Sequence, residues 1–214
     1  MELIFSIVIA YLLGSISFSY VIAWNVKKID IRQHGSGNAG ATNILRVLGK
    51  GPAITVLSLD VLKGVAAVWI ARLLEITDFF PVWTAFGEVE GMASALAGAA
   101  AIAGHNWPVY YGFKGGKGVA ATIGVVASLV FFPAVYVGIA AILSIVFTRY
   151  VSLGSLIFAV VTPVVIILTN FHYDHPSPYF YLTAVIGVLA VWKHRSNIKR
   201  LIKGNEHKIG SKVS

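Results

Sequence analysis

Seven apolar stretches divide this chain: residues 3–24, 51–74, 91–107, 119–132, 133–148, 151–170 and 179–192. Inside a hydrocarbon core every backbone N–H and C=O must find a partner within the protein, and apolar runs of this length meet that demand as helices. Composition agrees, because 57% hydrophobic and 12% charged residues over 214 positions is too apolar for a soluble domain. The fold class is therefore all-α, a polytopic integral membrane protein of about seven transmembrane helices, some short or tilted against a core of roughly 30 Å. The run 119–148 is too long for one ordinary span, and Pro133 marks the expected division into two short helices. The first stretch lacks a basic start and a small-residue cleavage site, so it reads as a retained span and not a signal peptide.

Charge alternates with the connections. Lys27, Lys28, Arg32, Arg46 and Lys50 fall in the first, Lys114 and Lys117 in the third, and Arg149 in the fifth. The tail carries Lys193, Arg195, Lys199, Arg200, Lys203, Lys208 and Lys212, whereas the second connection is acidic, with Glu75, Asp78, Glu88 and Glu90, and the sixth carries Asp174. The positive-inside rule then predicts an outside N-terminus, a cytoplasmic C-terminus and a common cytoplasmic face for the first and third connections and the tail. The net charge of +8 reflects this topology and attraction to anionic lipid headgroups, and nucleic acid is not an expected partner. The absence of cysteine excludes disulfides, thiolate metal sites and thioester intermediates. No repeat or linker interrupts the pattern, so residues 1–214 read as a single helical membrane domain with a short basic tail at 193–214.

Two glycine-rich stretches stand out in the connections. Gly35, Ser36, Gly37, Asn38, Gly40, Thr42 and Asn43 form the first, followed by Arg46; Gly115, Gly116, Lys117 and Gly118 form the second. Glycines let backbone groups approach an anion, and the hydroxyls, amides and cations interleaved with them supply further donors. Phosphate is the expected guest. If a helix begins near Ala41, Asn43 and Arg46 share a face of it. Gly35, Gly37 and Gly40 also match Gly-x-Gly-x-x-Gly with Asp60 about 20 residues on, but no strand precedes them and Asp60 lies within an apolar stretch, which rules out a dinucleotide fingerprint. The second stretch departs from a nucleotide-binding P-loop in spacing and in having Gly118 where Ser or Thr is required. By contrast, Gly98, Ala99, Ala100, Ala101 and Gly104 lack polar neighbours and read as a close helix crossing.

Other polar residues divide by position. In the tail, His194, Asn197 and Leu201 share one helical face, with Arg195 and Lys199 on another. Asp60 and Lys63, three apart within the second stretch, can neutralise each other as a structural pair bordering the site. Ser152 and Ser155 start the sixth stretch and can bond either a ligand or their own helix. His172 and His175 flank Asp174 in a connection that reads as ordinary surface, not as a metal site.

Together, the motif from Gly35 to Arg46, Gly104-His105-Asn106-Trp107-Pro108 leading into Phe113-Lys114-Gly115-Gly116-Lys117-Gly118, and His194 to Leu201 resemble the bacterial acyl-phosphate:glycerol-3-phosphate acyltransferase family, PlsY. The resemblance runs from the first stretch to about Glu206. It implies an inner-membrane enzyme that transfers a fatty acyl group from acyl phosphate to glycerol 3-phosphate, giving lysophosphatidic acid, without metal or cofactor. Where the family usually reads Gly-Lys-Gly-Val-Ala-Thr, this chain has Gly116, Lys117, Gly118, Val119, Ala120, Ala121 and Thr122. Lys117 and Arg46 are then the main phosphate partners, supported by glycine N–H groups. By resemblance His194, Asn197 and Ser152 lie near glycerol 3-phosphate, and a soluble acyl-phosphate-producing enzyme is a candidate partner. The competing readings are an organophosphate transporter, which would call for symmetry between halves, and an acyl-CoA-dependent acyltransferase, whose His-x-x-x-x-Asp site none of the six histidines begins.

The charge pattern makes a direct prediction. Single cysteines placed beside Ser36, Lys117 and Asn197 are expected to react with an impermeant reagent from the cytoplasmic side. Labelling of the two glycine stretches from opposite sides would overturn the topology.

Overall fold

Residues 2–76 and 89–210 are described by the computed structural model, and the regular elements among them are helices, with no strand. The expected acidic residues Asp78 and Glu88, and Lys212 of the tail, lie outside the described residues. The chain falls into two compact units, Met1–Leu129 and Val130–Ser214.

In the first unit α1 (Glu2–Gly14) and α2 (Phe18–Lys27) replace the single expected span. Together they form a 25-residue stretch, Leu3–Lys27, long and apolar enough to cross a membrane. The interruption at Ser15, Ile16 and Ser17 frees backbone groups in apolar surroundings, and Lys63 answers it by donating to the Ile16 carbonyl at 2.7 Å. The same Nζ lies 2.8 Å from Asp60 Oδ1, so the expected Asp60–Lys63 pair forms, with both side chains almost wholly buried. After the break come a 3-10 turn at Ile31–Gln33, the short α3 (Ala41–Leu48) and the long α4 (Lys50–Ile76), then α5 (Met92–Asn106), a second 3-10 turn at Val109–Tyr111 and α6 (Val119–Leu129).

Small residues set how these helices pack. α5 lies against α1 and α4, with Ala10, Ala67, Ala71, Ala97, Ala100 and Ala101 at the contact. A Cβ on Gly104 would run into the Tyr11 carbonyl, and one on Gly14 into the Ala101 carbonyl, so the crossing expected from the glycine and alanine run is present. α4 crosses α6 in the same way through Gly64 and Gly124. A second core, of Ala23, Ile31, Ile44, Ala53 and Val56, seats α3 and the first 3-10 turn on α2 and α4. That core carries the first glycine-rich stretch.

The second unit contains α7 (Phe131–Thr148), α8 (Val151–Tyr173), α9 (Ser177–Lys193) and α10 (Arg195–Ile202), with α8 packed against α7 and α9. The expected division at Pro133 is displaced. The break falls at Val130, and Pro133 sits in the first turn of α7, where a missing N–H removes no intrahelical bond. Of the expected spans, α1–α2, α4, α7 and α8 are long and apolar enough to cross a membrane. α5, α6 and α9 have 15, 11 and 17 residues. At 1.5 Å per residue they rise about 16 to 26 Å, short of the roughly 30 Å hydrocarbon core.

The α1–α5 crossing predicts a clear difference between two glycines. Gly104→Leu forces bulk against the α1 backbone and is expected to destabilise the protein by about 1–3 kcal/mol, read as a lower Tm in detergent. Gly51→Ala, with no atom within 4 Å of the added carbon, is expected not to lower it.

Candidate functional site

The first glycine-rich stretch is built around one amide. Asn43, on α3 and 1% exposed, accepts the Ser36 N–H at 2.8 Å and donates to the carbonyls of His34 and Ile31 at 2.9 and 3.2 Å. Three bonds from one side chain hold the loop in its turn. At Gly35 the backbone takes φ +61, and a Cβ there would strike Asn43 Oδ1, so only glycine fits. The helix does begin at Ala41, with Gly40 before it. Asn43 turns under the loop, while Arg46 and Thr42 are half-buried and Ser36, Gly35 and Gly37 are exposed.

The second stretch rests on the end of α5. Tyr11 secures that end by donating its hydroxyl to the Trp107 carbonyl at 2.7 Å. The Gly116 N–H donates to the His105 carbonyl at 3.1 Å. A Cβ on Gly115 would run into that same carbonyl, and the Asn106 amide lies against Gly118, which has φ +82. A Cβ on Gly116 would also meet the carbonyl oxygen of Ala39 at 2.6 Å. The two glycine-rich stretches therefore touch. Lys117, half-buried, is carried on this loop just before α6.

Arg32 strengthens the link between the segments leading to the two loops. Its guanidinium grips Asp30 through both carboxylate oxygens, at 2.9 and 2.7 Å, and donates to the Tyr111 carbonyl at 2.8 Å. The hydrogen bond from Arg32 holds the Asp30 carboxyl below the usual carboxylate range. In the sequence Arg32 reads only as one of several topogenic cations. Its role as a tie depends on a carbonyl 79 residues away, which no local pattern announces.

Some expected donors have other partners. The N–H groups of Gly37 and Gly40 donate to His34 and Asn38 carbonyls, and that of Gly116 to His105. At Gly115 and Gly116 the lack of a side chain permits close packing on α5.

In the second unit a carboxylate gathers the polar residues. Glu206 Oε1 accepts from Asn197 Nδ2 at 2.6 Å and from Ser152 Oγ at 3.0 Å, and Oε2 accepts from Arg200 Nε at 2.7 Å. Ser152 and Asn197 thus meet, from α8 and α10. Ser155 bonds its own helix through the Val151 carbonyl. His194 joins α9 to α10; its Nδ1 bonds the Ala190 carbonyl at 2.8 Å, which requires a proton on Nδ1 and gives a neutral ring its lone pair on Nε2. His194 and Asn197 are buried and Arg195 and Lys199 exposed, as the helical faces predict. Glu206 is missing from the sequence-based site, although an acid within so basic a tail is a visible signal.

The sequence matches the family model described as glycerol-3-phosphate acyltransferase over residues 4–204. A protein of that name from Shouchella clausii is 58% identical over 213 residues, covering 99% of this chain and 98% of that one. The fold resembles two crystal structures of PlsY, an integral membrane glycerol 3-phosphate acyltransferase. Its glycerol 3-phosphate form has a TM-score of 0.83 and 37% identity, covering 98% of this chain and 96% of that chain. Its lysophosphatidic acid form has a TM-score of 0.79 and 36% identity, with the same coverage.

The Glu206 cluster predicts a pH dependence. Burial works to raise the Glu206 pKa, but the bonds from Arg200, Asn197 and Ser152 outweigh it and hold the carboxyl below its ordinary 4.5. A depressed folded pKa means stability that is complete above the unfolded value and lost as pH falls through the folded one. The Tm difference between the parent and Glu206→Gln is expected to be full above about pH 5 and to narrow below it. A difference constant with pH would contradict a role for the ionised form.

Proposed function

The chain belongs to the glycerol-3-phosphate acyltransferase family, and from that premise we propose that it transfers a fatty acyl group from acyl phosphate to glycerol 3-phosphate. The products are lysophosphatidic acid and inorganic phosphate. The observation that carries this reading is the contact between two glycine-rich stretches that bear Arg46 and Lys117, in an apolar helical protein. Both substrates are phosphates, and the donor's acyl chain stays in the apolar phase while its head reacts.

The reaction requires little covalent work from the protein. The glycerol hydroxyl oxygen attacks the acyl carbonyl carbon, the bond from that carbon to the phosphate oxygen breaks, and the phosphate leaves with the electron pair. The proton of the hydroxyl passes to a substrate phosphate, so no acyl-enzyme forms. Positioning and charge stabilisation supply the rate enhancement. Lys117 and Arg46 balance the phosphate charge, with Ser36, Asn38 and Thr42 as further donors. Asn43 holds the first loop in the form those residues require. Ser152, His194 and Asn197 bind glycerol 3-phosphate, and His194 positions it without acting as the base. The enzyme sits in the bacterial inner membrane as seven spans, with the N-terminus outside and the chemistry at the cytoplasmic face. The alternating Lys and Arg pattern supports that orientation.

Steady-state kinetics on purified protein tests this reading. Product should form from acyl phosphate and labelled glycerol 3-phosphate, and not from acyl-CoA. Lys117→Ala and Arg46→Ala are each expected to lose about 2–4 kcal/mol of transition-state stabilisation, roughly 30-fold to 1,000-fold in kcat/KM, while remaining folded. His194→Gln is expected to raise KM for glycerol 3-phosphate more than it lowers kcat. Near-normal activity in both cation variants would leave them a topological role only, and a collapse of kcat in His194→Gln would make it the base.

A further inference from the structure

A buried cluster of titratable groups lies beneath the second glycine-rich stretch. Asp60 and Lys63 occupy α4 with side chains 2% and 1% exposed, their charged atoms 2.8 Å apart. His105, at the end of α5, has a side chain 6% exposed and directs Nδ1 at the same Asp60 oxygen, 3.5 Å away. The other ring nitrogen, Nε2, faces the opposite way and abuts Gly116, where any Cβ would strike it. Lys63 meanwhile holds the Ile16 carbonyl at the α1–α2 break. Ionised groups in an apolar interior are costly and persist where they neutralise one another or do work. Pairing explains Asp60 and Lys63. It leaves unexplained why an imidazole is interposed between that pair and the backbone next to Lys117.

We propose that His105 is a positioning residue for the phosphate loop, its ring oriented by the Asp60–Lys63 pair and its far edge setting the height of Gly116 and hence of Lys117. His105 grips the loop twice, since its carbonyl accepts the Gly116 N–H while its ring bears on the same residue. The pair beneath supplies a fixed charge that favours the ring orientation with Nδ1 toward the carboxylate. This inference rests on the reading of Lys117 as a phosphate partner.

The test compares His105→Ala, His105→Gln and the charge-neutral double variant Asp60→Asn with Lys63→Gln against Lys117→Ala. All are read by steady-state kinetics, by Tm and by the mobility of a nitroxide on Lys114→Cys, a label made specific by the absence of native cysteine. His105→Ala and the double variant are expected to mobilise the label. They should also raise, about tenfold, the KM of the same substrate that Lys117→Ala affects, with kcat changed less than about threefold. His105→Gln, which keeps a polar side chain over Gly116, is expected to recover part of both effects. Unchanged mobility and KM in His105→Ala and the double variant, with Lys117→Ala impaired, would overturn the proposal. Should Lys117→Ala prove fully active, the phosphate reading fails, and the nitroxide still decides whether His105 holds the loop. Should His105→Ala not fold, His105→Gln decides: native mobility and KM overturn the proposal, and an intermediate loss supports it.

Discussion

Every place where this chain leaves helical geometry needs a partner for the backbone it frees, and that need organises the structure around the glycine-rich stretches. Lys63 meets the carbonyl of Ile16, Arg32 that of Tyr111, and Asn43 those of Ile31 and His34. In water these groups would bond to solvent. In apolar surroundings, as at Ile16, a carbonyl left unpaired would cost several kcal/mol, and a polar side chain from another helix meets it. Asp60 follows from the same requirement, because a buried ammonium at residue 63 demands a carboxylate beside it.

That division of labour refines the part played by glycine. At Gly14, Gly64, Gly104 and Gly124 the missing side chain lets helices cross closely, a packing role. Gly115 and Gly116 use the same property to lay a loop on the end of α5 and against Ala39. Packing and the proposed anion binding are two uses of these residues. They are compatible, because a loop held tightly from beneath presents its cations in a fixed geometry, and preorganised charge is what stabilises a phosphate leaving group.

Glu206 and Asn43 make a related point about recognition by motif. Asn43 lies within a stretch that carries the resemblance to the acyltransferase family, and Glu206 lies just beyond the stretch from His194 to Leu201. Asn43 directs its amide at the loop backbone, and Glu206 collects Ser152, Asn197 and Arg200. A motif residue can therefore serve by fixing the shape of a loop or the orientation of a neighbour, and the residue type alone does not say which.

The sequence by itself determined the membrane class, the helical architecture, the Asp60–Lys63 pair and the helical face that His194 and Asn197 share. Each depends on local quantities, namely apolar run length, residue spacing along one helix and the high free energy of an isolated buried charge. Only the tertiary structure decided the break at residues 15–17, the boundary at Val130, the tie from Arg32 to Tyr111 and the convergence of Glu206 with Ser152. The physical reason is distance along the chain. A helix yields where a partner can satisfy the freed carbonyl, and the partner of Ile16 lies 47 residues away, that of Tyr111 79 and that of Ser152 54. Spacing within one helix turn carries no information about such pairs, because packing of separate helices is what creates them.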